Sequence, residues 1–353
     1  MEISVISFTK AGQKLSEKLK ETLTEWEISL FTKRAECAEK IDEVFFVEIS
    51  ISEWTKEQME QRKALVFIGA CGIAVRAVAP NIVSKLIDSP VLVMDEKGRY
   101  VIPILSGHVG GANELAGFIA KRLGAQEVIT TATDINHKFA VDLFAKKNHL
   151  SIVNKEGIAK VSAKILAGEM IKMSIEERNL VKTDSLPENV VLISWPPKEP
   201  ADVIVSSEND NYDASLILCP QEYVIGAGCR KGKEAEKLEE FIRKNLENAG
   251  IKEEQILAIA SIDVKKNEAG LLAWSKRKNI PFLTYSEEEL RKTEGDFQES
   301  EFVKSMVGVG NVCERAAVKA AGLDGRLIYK KHAEDGMTIA IAKREWRITF
   351  DET

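Results

Sequence analysis

The sequence predicts an α/β protein: two layered α/β domains with mostly parallel sheets, joined by a smaller central region. Three observations carry this. Short apolar runs alternate with amphipathic stretches of helical length, the pattern of βαβ units. The 353 residues exceed one ordinary core. The alternation is interrupted once, by a proline-rich stretch, and then resumes.

Residues 3–8 read as the first strand, 11–23 as a helix and 44–51 as a second strand. Further strands are expected at 65–68, 91–94, 100–105 and 127–131, giving an N-terminal α/β domain over 1–141. Between 142 and 220 the apolar runs shorten, and Pro187, Pro196, Pro197 and Pro200 break regular structure. This is the smaller central region. A strand at 222–227 then runs into a glycine-punctuated turn and a long helix over 233–248. Strands at 256–261, 281–284 and 338–342, with helices at 268–278 and 312–321, complete a C-terminal α/β domain over 221–353.

Hydrophobic residues make up 44% and charged ones 29%, which excludes a disordered or membrane chain. No apolar run approaches the ~20 residues that cross a bilayer. The first four residues open a strand instead of a signal segment, so a cytoplasmic location is expected. The net charge is −6, with Lys and Glu interleaved along the helices. Nucleic-acid binding needs a continuous basic face and is not expected; positive surroundings for an anionic ligand must be local. Cys37, Cys71, Cys219, Cys229 and Cys313 are widely spaced, without a C-x-x-C pair or a His at zinc spacing. Free thiols and no protein metal site are expected. Cys71 and Cys229 have no neighbouring His, which argues against a cysteine nucleophile.

The most informative stretch is LSGHVGGANELAG, residues 105–117: a strand end, a glycine-rich turn and a helix. Such a turn leaves backbone N–H groups at the positive end of the helix, ready for a carboxylate or a phosphate. Gly110 and Gly111 let a ligand approach the backbone, and Asn113 lies on the first helical turn. The same stretch reads equally as a tight βα connection with Ser106 as helix cap. His108 could serve as a base or as a donor to a developing oxyanion near neutral pH, or be a structural or merely exposed loop histidine. Thr131, Thr133 and Asp134 follow the next strand and are expected at the carboxyl end of the sheet, where open α/β folds place ligands. Asp134 could orient His108; Thr133 and Asp134 could instead cap the following helix.

A second glycine turn, GAGCRKG (226–232), offers Gly226, Gly228, Arg230 and Lys231. It matches neither the dinucleotide fingerprint nor the P-loop, so no nucleotide is implied. Asp263 and Lys265 end another strand, and Gly310 precedes another helix. Three such strand ends in one domain suggest a shared ligand edge. Arg76 and Lys85 could supply charge for an acidic ligand in the N-terminal domain, or be ordinary surface charge.

On these segments the chain resembles the CbiG family of cobalamin (corrin ring) biosynthesis. The resemblance rests on GIAVRAVAP (72–80), residues 85–88, VIPILSGHVGGANELA (101–116), VITTATD (128–134), GAGCRKG (226–232), SIDVKKNEAGLL (261–272) and MVGVGNVCERAA (306–317). Segments in the family's order along nearly the whole chain are more specific than any one glycine turn. The last three also resemble CobE, a stand-alone counterpart of the C-terminal domain. The chain departs from the family at Cys71, where many members have Ser or Thr, and at Asn311, where many have Ser. Neither can then be a required nucleophile, which favours activated water.

The resemblance implies hydrolysis of the δ-lactone that joins the ring A acetate of cobalt-precorrin-5A to its extruded meso carbon. Loss of that carbon as acetaldehyde gives cobalt-precorrin-5B. In this reading the candidate catalytic residues are His108 as base, Asp134 to orient it and Ser106 beside it, with Gly110 and Gly111 N–H groups as an oxyanion or carboxylate cradle. Arg76, Lys85, Arg230 and Lys231 would hold substrate carboxylates, and the ligand edges of the two domains would face each other across a cleft. No organic cofactor is implied, because cobalt travels in the substrate; His108 as an axial cobalt ligand is the alternative to His108 as base. Transient contact with the pathway's precorrin methyltransferases and a homodimer are compatible with this reading. The competing class is a non-catalytic corrinoid carrier, favoured by the lack of a compact acid, base and nucleophile set.

Overall fold

The structure is a computed structural model that describes residues 2–35, 43–84, 87–108, 110–135, 138–176, 179, 186–208, 212–297 and 310–350. The side chains of Thr133 and Asp134 lie outside that description, as do Lys85 and Cys37. The chain divides into two compact units, Met1–Lys138 and Phe139–Thr353. No helix among the described residues is long and apolar enough to cross a membrane.

In the first unit β1 (Glu2–Ser7), β2 (Glu27–Thr32), β3 (Val44–Phe46), β4 (Ala64–Ile68), β5 (Val91–Met94), β6 (Tyr100–Leu105) and β7 (Gln126–Glu127) form one sheet, in the order β3-β2-β1-β4-β5-β6-β7. Helices are α1 (Lys10–Thr22), α2 (Ile51–Glu60), α3 (Cys71–Val78), α4 (Ala112–Leu123) and the short α5 (Ala132–Ile135). β4 and β5 are apolar at successive positions, and β1 is buried on both sides from Ile3 to Ser7, because both faces of the sheet are covered. Ile3, Val5 and Val66 pack with Leu19 of α1 and Leu115 and Ile119 of α4. Ile6, Leu65 and Phe67 pack with Trp54 of α2 and Ala74 and Val78 of α3.

Strands β1 to β5 run parallel, but β6 is antiparallel to β5, with Val91 opposite Leu105 and Met94 opposite Val101. The reversal is made by Asp95, whose carboxylate accepts from the N–H groups of Lys97, Arg99 and Tyr100, with Gly98 in the left-handed region. Strand β7 follows β6 in parallel. The carboxyl ends of β6 and β7 therefore lie at the edge where β1 to β5 begin. The expected strand at 44–51 stops at Phe46, because Ser50 and Glu53 form a capping box that starts α2. The strand expected at 127–131 is reduced to Gln126–Glu127, with one further bond from Val128 N–H to the Val101 carbonyl.

The second unit holds two sheets. β8 (Leu150–Ile152), β9 (Ile171–Ile175), β10 (Val190–Ile193), β11 (Ala201–Val205) and β12 (Ala214–Pro220) assemble in the order β10-β9-β11-β12-β8, with β8 antiparallel to β12. Helices α6 (Val141–Lys147) and α7 (Glu156–Leu166) belong to this part. The other sheet has β13 (Tyr223–Cys229), β14 (Ile256–Ile262), β15 (Phe282–Tyr285), β16 (Arg326–Glu334) and β17 (Met337–Lys343), in the order β15-β14-β13-β17-β16. α8 (Ala235–Ala249) and α9 (Ala269–Lys278) bury Leu238, Phe241, Leu271 and Trp274 against Ile225 and Ile259. On the opposite face α10 (Val312–Ala321) lays Ala316, Ala317 and Ala321 against Val224, Ala258 and Ala342. Small residues on both sides let this helix approach closely.

After β17 the chain returns to the α6 region. Ile348 N–H donates to the Asn179 carbonyl, Thr349 exchanges two hydrogen bonds with the Asn148 side chain, and Phe350 stacks on Phe144 with ring centroids 4.9 Å apart. Trp346 and Ile348 are buried.

Candidate active site

The first unit presents the turn at residues 106–111, between β6 and α4. Ser106 stands in the left-handed region at φ +56°, and Gly111, the residue preceding α4, at φ +87°. The turn is closed by its own backbone: Gly111 N–H donates to the His108 carbonyl at 2.9 Å, Ala112 N–H to Ser106 at 3.1 Å and Asn113 N–H to Gly107 at 3.0 Å. The donor expected at Gly111 is therefore already committed and does not form an open cradle. Gly110 is needed for packing, since a Cβ there would lie 2.3 Å from the Ser106 Cβ. Gly107 passes beside Asn113, where a Cβ would meet Oδ1 at 2.7 Å.

Ser106 does not cap α4 through its side chain. Its carbonyl takes the Ala112 N–H, whereas its hydroxyl is buried and makes no hydrogen bond among the described residues. His108 is partly buried in the same turn. Asn113 Nδ2 donates to Thr131 Oγ1 at 3.1 Å, which ties the turn to the segment after β7. Thr131 also starts α5, accepting the Ile135 N–H on its carbonyl. The structure thus brings residues 106–113 and 131 together and carries the backbone of Thr133 and Asp134 in α5.

Two sequence expectations need correction here. The group around Thr131 leaves at the carboxyl ends of β6 and β7, which is the amino edge of the five parallel strands, because the Asp95 turn reverses β6. Arg76 is parted from the turn. It lies on α3, which leaves the carboxyl end of β4, and its guanidinium folds back so that a Cβ on Gly72 would lie 3.3 Å from Nη1. α3 packs with Trp54 in one core, through Ala74 and Val78, whereas α4 packs with Leu19 in the other, through Leu115 and Ile119.

The second unit gathers a basic edge at the carboxyl ends of β13 and β14. Strand β13 extends to Cys229, so Gly226 and Gly228 belong to the sheet and the turn begins at Arg230. A Cβ on Gly226 would lie 1.8 Å from the Cys313 carbonyl oxygen, and one on Gly228 would lie 2.7 Å from Thr338 Oγ1. Their expected role against substrate is corrected: the space over Gly226 is filled by α10, and that beside Gly228 by β17.

Arg230 N–H donates to the Gly336 carbonyl, and the Arg230 stem covers Gly336 in the β16–β17 hairpin. Lys233 Nζ binds Asp335 Oδ2 at 2.6 Å. Glu268 is buried at 8% exposure and joins two strand ends, accepting Gly232 N–H at 2.8 Å and Lys265 Nζ at 3.0 Å. Burial alone would raise its carboxyl, but the Lys265 and Gly232 donors outweigh it and hold it below the ordinary range. Arg230, Lys231 and Asp263 are exposed along this edge. Gly310 is buried just before Asn311, whose side chain caps α10.

Sequence reasoning missed Glu268, Lys233 and Asp335. The Lys265 to Glu268 spacing, three residues apart on a turn, was a readable signal for the first. The Lys233–Asp335 pair spans 102 residues and had none. Three thiols carry no nucleophile signal: burial pushes Cys229 up, Cys313 up to about 11 and Cys219 up to about 12. Among the described residues no three His, Cys, Asp or Glu side chains are grouped to hold a metal ion.

A family model described as "Cobalamin synthesis G N-terminal" matches residues 53–134, and one described as "Cobalamin synthesis G C-terminus" matches 223–342. The chain is 31% identical over 96% of its length, and 97% of the relative's, to a protein of Salmonella typhimurium named cobalt-precorrin-5A hydrolase. The chain belongs to the CbiG family. A Priestia megaterium relative of the same name is 29% identical over 97% of this chain and 94% of its own. The protein CobE of a Sinorhizobium species is 28% identical over 34% of this chain and 78% of its own. The CbiG N-terminal match covers the Ser106 turn and the C-terminal match covers the basic edge. Relatives named as hydrolases over nearly full length favour an enzyme over a carrier.

Proposed function

We propose that the chain is a hydrolase of corrin-ring biosynthesis that opens the δ-lactone of cobalt-precorrin-5A and releases acetaldehyde, leaving cobalt-precorrin-5B. The observation that carries this reading is the near full-length similarity to proteins named cobalt-precorrin-5A hydrolase. We assign the chemistry to the turn at 106–111, because it combines an imidazole with a strained serine.

His108 takes a proton from the attacking water, and the lactone carbonyl becomes a tetrahedral oxyanion. Collapse breaks the ring C–O bond, and the leaving oxygen takes the proton from the imidazolium, giving the ring A acetate, an alcohol on the meso carbon and a neutral imidazole. Removal of that alcohol's proton by the same base drives a retro-aldol cleavage, and the conjugated macrocycle accepts the electrons as acetaldehyde leaves. Asp134 orients the imidazole, by the logic of a base held by a third group. Arg230, Lys231 and Lys265 bind acetate and propionate arms, with Lys265 preset by Glu268. No organic cofactor enters these steps, since the cobalt belongs to the substrate.

An oxygen-free single-turnover assay for acetaldehyde tests the proposal. One equivalent of acetaldehyde per bound cobalt-precorrin-5A is expected; tight binding of the macrocycle with none released would make the protein a carrier.

A further inference from the structure

The Ser106 turn contains a hydroxyl that the fold leaves unused. Ser106 is at 8% exposure, in a backbone region that L side chains seldom adopt, with no hydrogen bond to its hydroxyl among the described residues. Each condition costs stability. A serine with a structural role in such a place would cap the helix, but the cap position of α4 is Gly111, with no side-chain cap, and the Ser106 carbonyl already holds Ala112 N–H. Glycine at 106 would fit the torsion and remove the orphaned hydroxyl together. The position carries strain that nothing within the fold returns.

The backbone donors of the turn point to what the hydroxyl does. The N–H groups of Gly111, Ala112 and Asn113 are all spent on carbonyls of the turn, so they cannot stabilise an oxyanion. The hydroxyl that remains without a partner sits on the same loop as His108, with its Cβ against Gly110. We propose that Ser106 Oγ–H is the hydrogen-bond donor to the lactone carbonyl oxygen, and to the oxyanion that forms on it. This rests on the reading of the turn as the reaction centre. Gly110, which packs against the Ser106 Cβ, is the neighbour that gives way when substrate arrives, since glycine torsions change without steric penalty. No bond forms to Ser106. The donor strengthens as charge develops on the carbonyl oxygen, and weakens when the tetrahedral centre collapses to the carboxylate.

The test compares Ser106→Ala and Ser106→Gly with the parent and with His108→Gln, measuring acetaldehyde release, melting temperature and intact mass of the quenched reaction. Expected are a fall in kcat of ~10²–10³-fold for both serine variants, a KM within about twofold, melting temperatures no lower than the parent's and no covalent adduct. Turnover of Ser106→Ala within about threefold of the parent overturns the donor role. So does an acylated Ser106 in the quenched parent, which would make it a nucleophile, and so does a lowered melting temperature in both variants, which would make it structural. An inactive Ser106→Ala beside an active His108→Gln removes the base assignment and leaves the donor standing; the converse pair removes the donor alone.

Discussion

Replacing Gly226 by alanine separates packing from recognition in the second unit. The added Cβ would lie 1.8 Å from the Cys313 carbonyl oxygen, 2.8 Å from its carbon and 3.0 Å from the Ala317 Cβ. Ordinary carbon–oxygen contacts start near ~3.3 Å, so α10 must retreat by about 1.5 Å. The obstacle is helix backbone and not a flexible side-chain end. The cost therefore belongs at the upper part of the ~1–3 kcal/mol range for overpacking. At ~2–4 °C per kcal/mol for about 200 residues, a cost of about 3 kcal/mol lowers the melting temperature by ~6–12 °C. Calorimetry and acetaldehyde kinetics are measured on the same preparation. A melting temperature within about 2 °C of the parent, together with a raised KM for cobalt-precorrin-5A, would refute the packing argument and make Gly226 a substrate contact.

Three further outcomes are expected. His108→Gln abolishes turnover and leaves the absorption spectrum of bound cobalt-precorrin unchanged; a shifted spectrum would make His108 a cobalt ligand instead of the base. Glu268 has its carboxyl held below the ordinary range, so its stabilising contribution is complete above the unfolded value of about 4.3 and is lost as pH falls through the folded value. The melting-temperature gap between parent and Glu268→Gln accordingly closes on acidification, and a gap constant from about pH 7 to 3 would remove the linkage. The double substitution Arg230→Gln and Lys231→Gln raises KM several-fold with little change in kcat and weakens the salt dependence of KM; a fall in kcat alone would argue against carboxylate binding at that edge.

The layered fold was legible where burial is two-sided, because β4 and β5 are apolar at successive positions. β2 escaped notice: its inward positions are Ile28, Leu30 and Thr32, and a threonine on a buried face dilutes the alternation. β16 alternates only weakly and is rich in charge, as an outer strand of the sheet often is. The reversal of β6 was written in Asp95 and Gly98, a turn signal between two short strands, yet its consequence for which edge carries the Ser106 turn needs the register as well. Glycines misled in the opposite direction. Those at 226 and 228 look like ligand glycines in sequence, but helix approach and strand pairing use them, and only three-dimensional contacts distinguish the two. The orphaned Ser106 hydroxyl could not be read at all, since a serine before a helix is an ordinary cap in sequence.

The returning tail decides how this chain can be cut. Residues 346–350 leave the last strand and fill space beside α6, so a break at Pro220 separates Ile348 and Phe350 from the partners that shelter them. A fully sheltered aliphatic side chain is worth ~1.5–3 kcal/mol, and Ile348 is at 0% exposure. Dissection after Lys138 keeps that seam whole, and it is the division at which two separately produced halves can be expected to keep their folds.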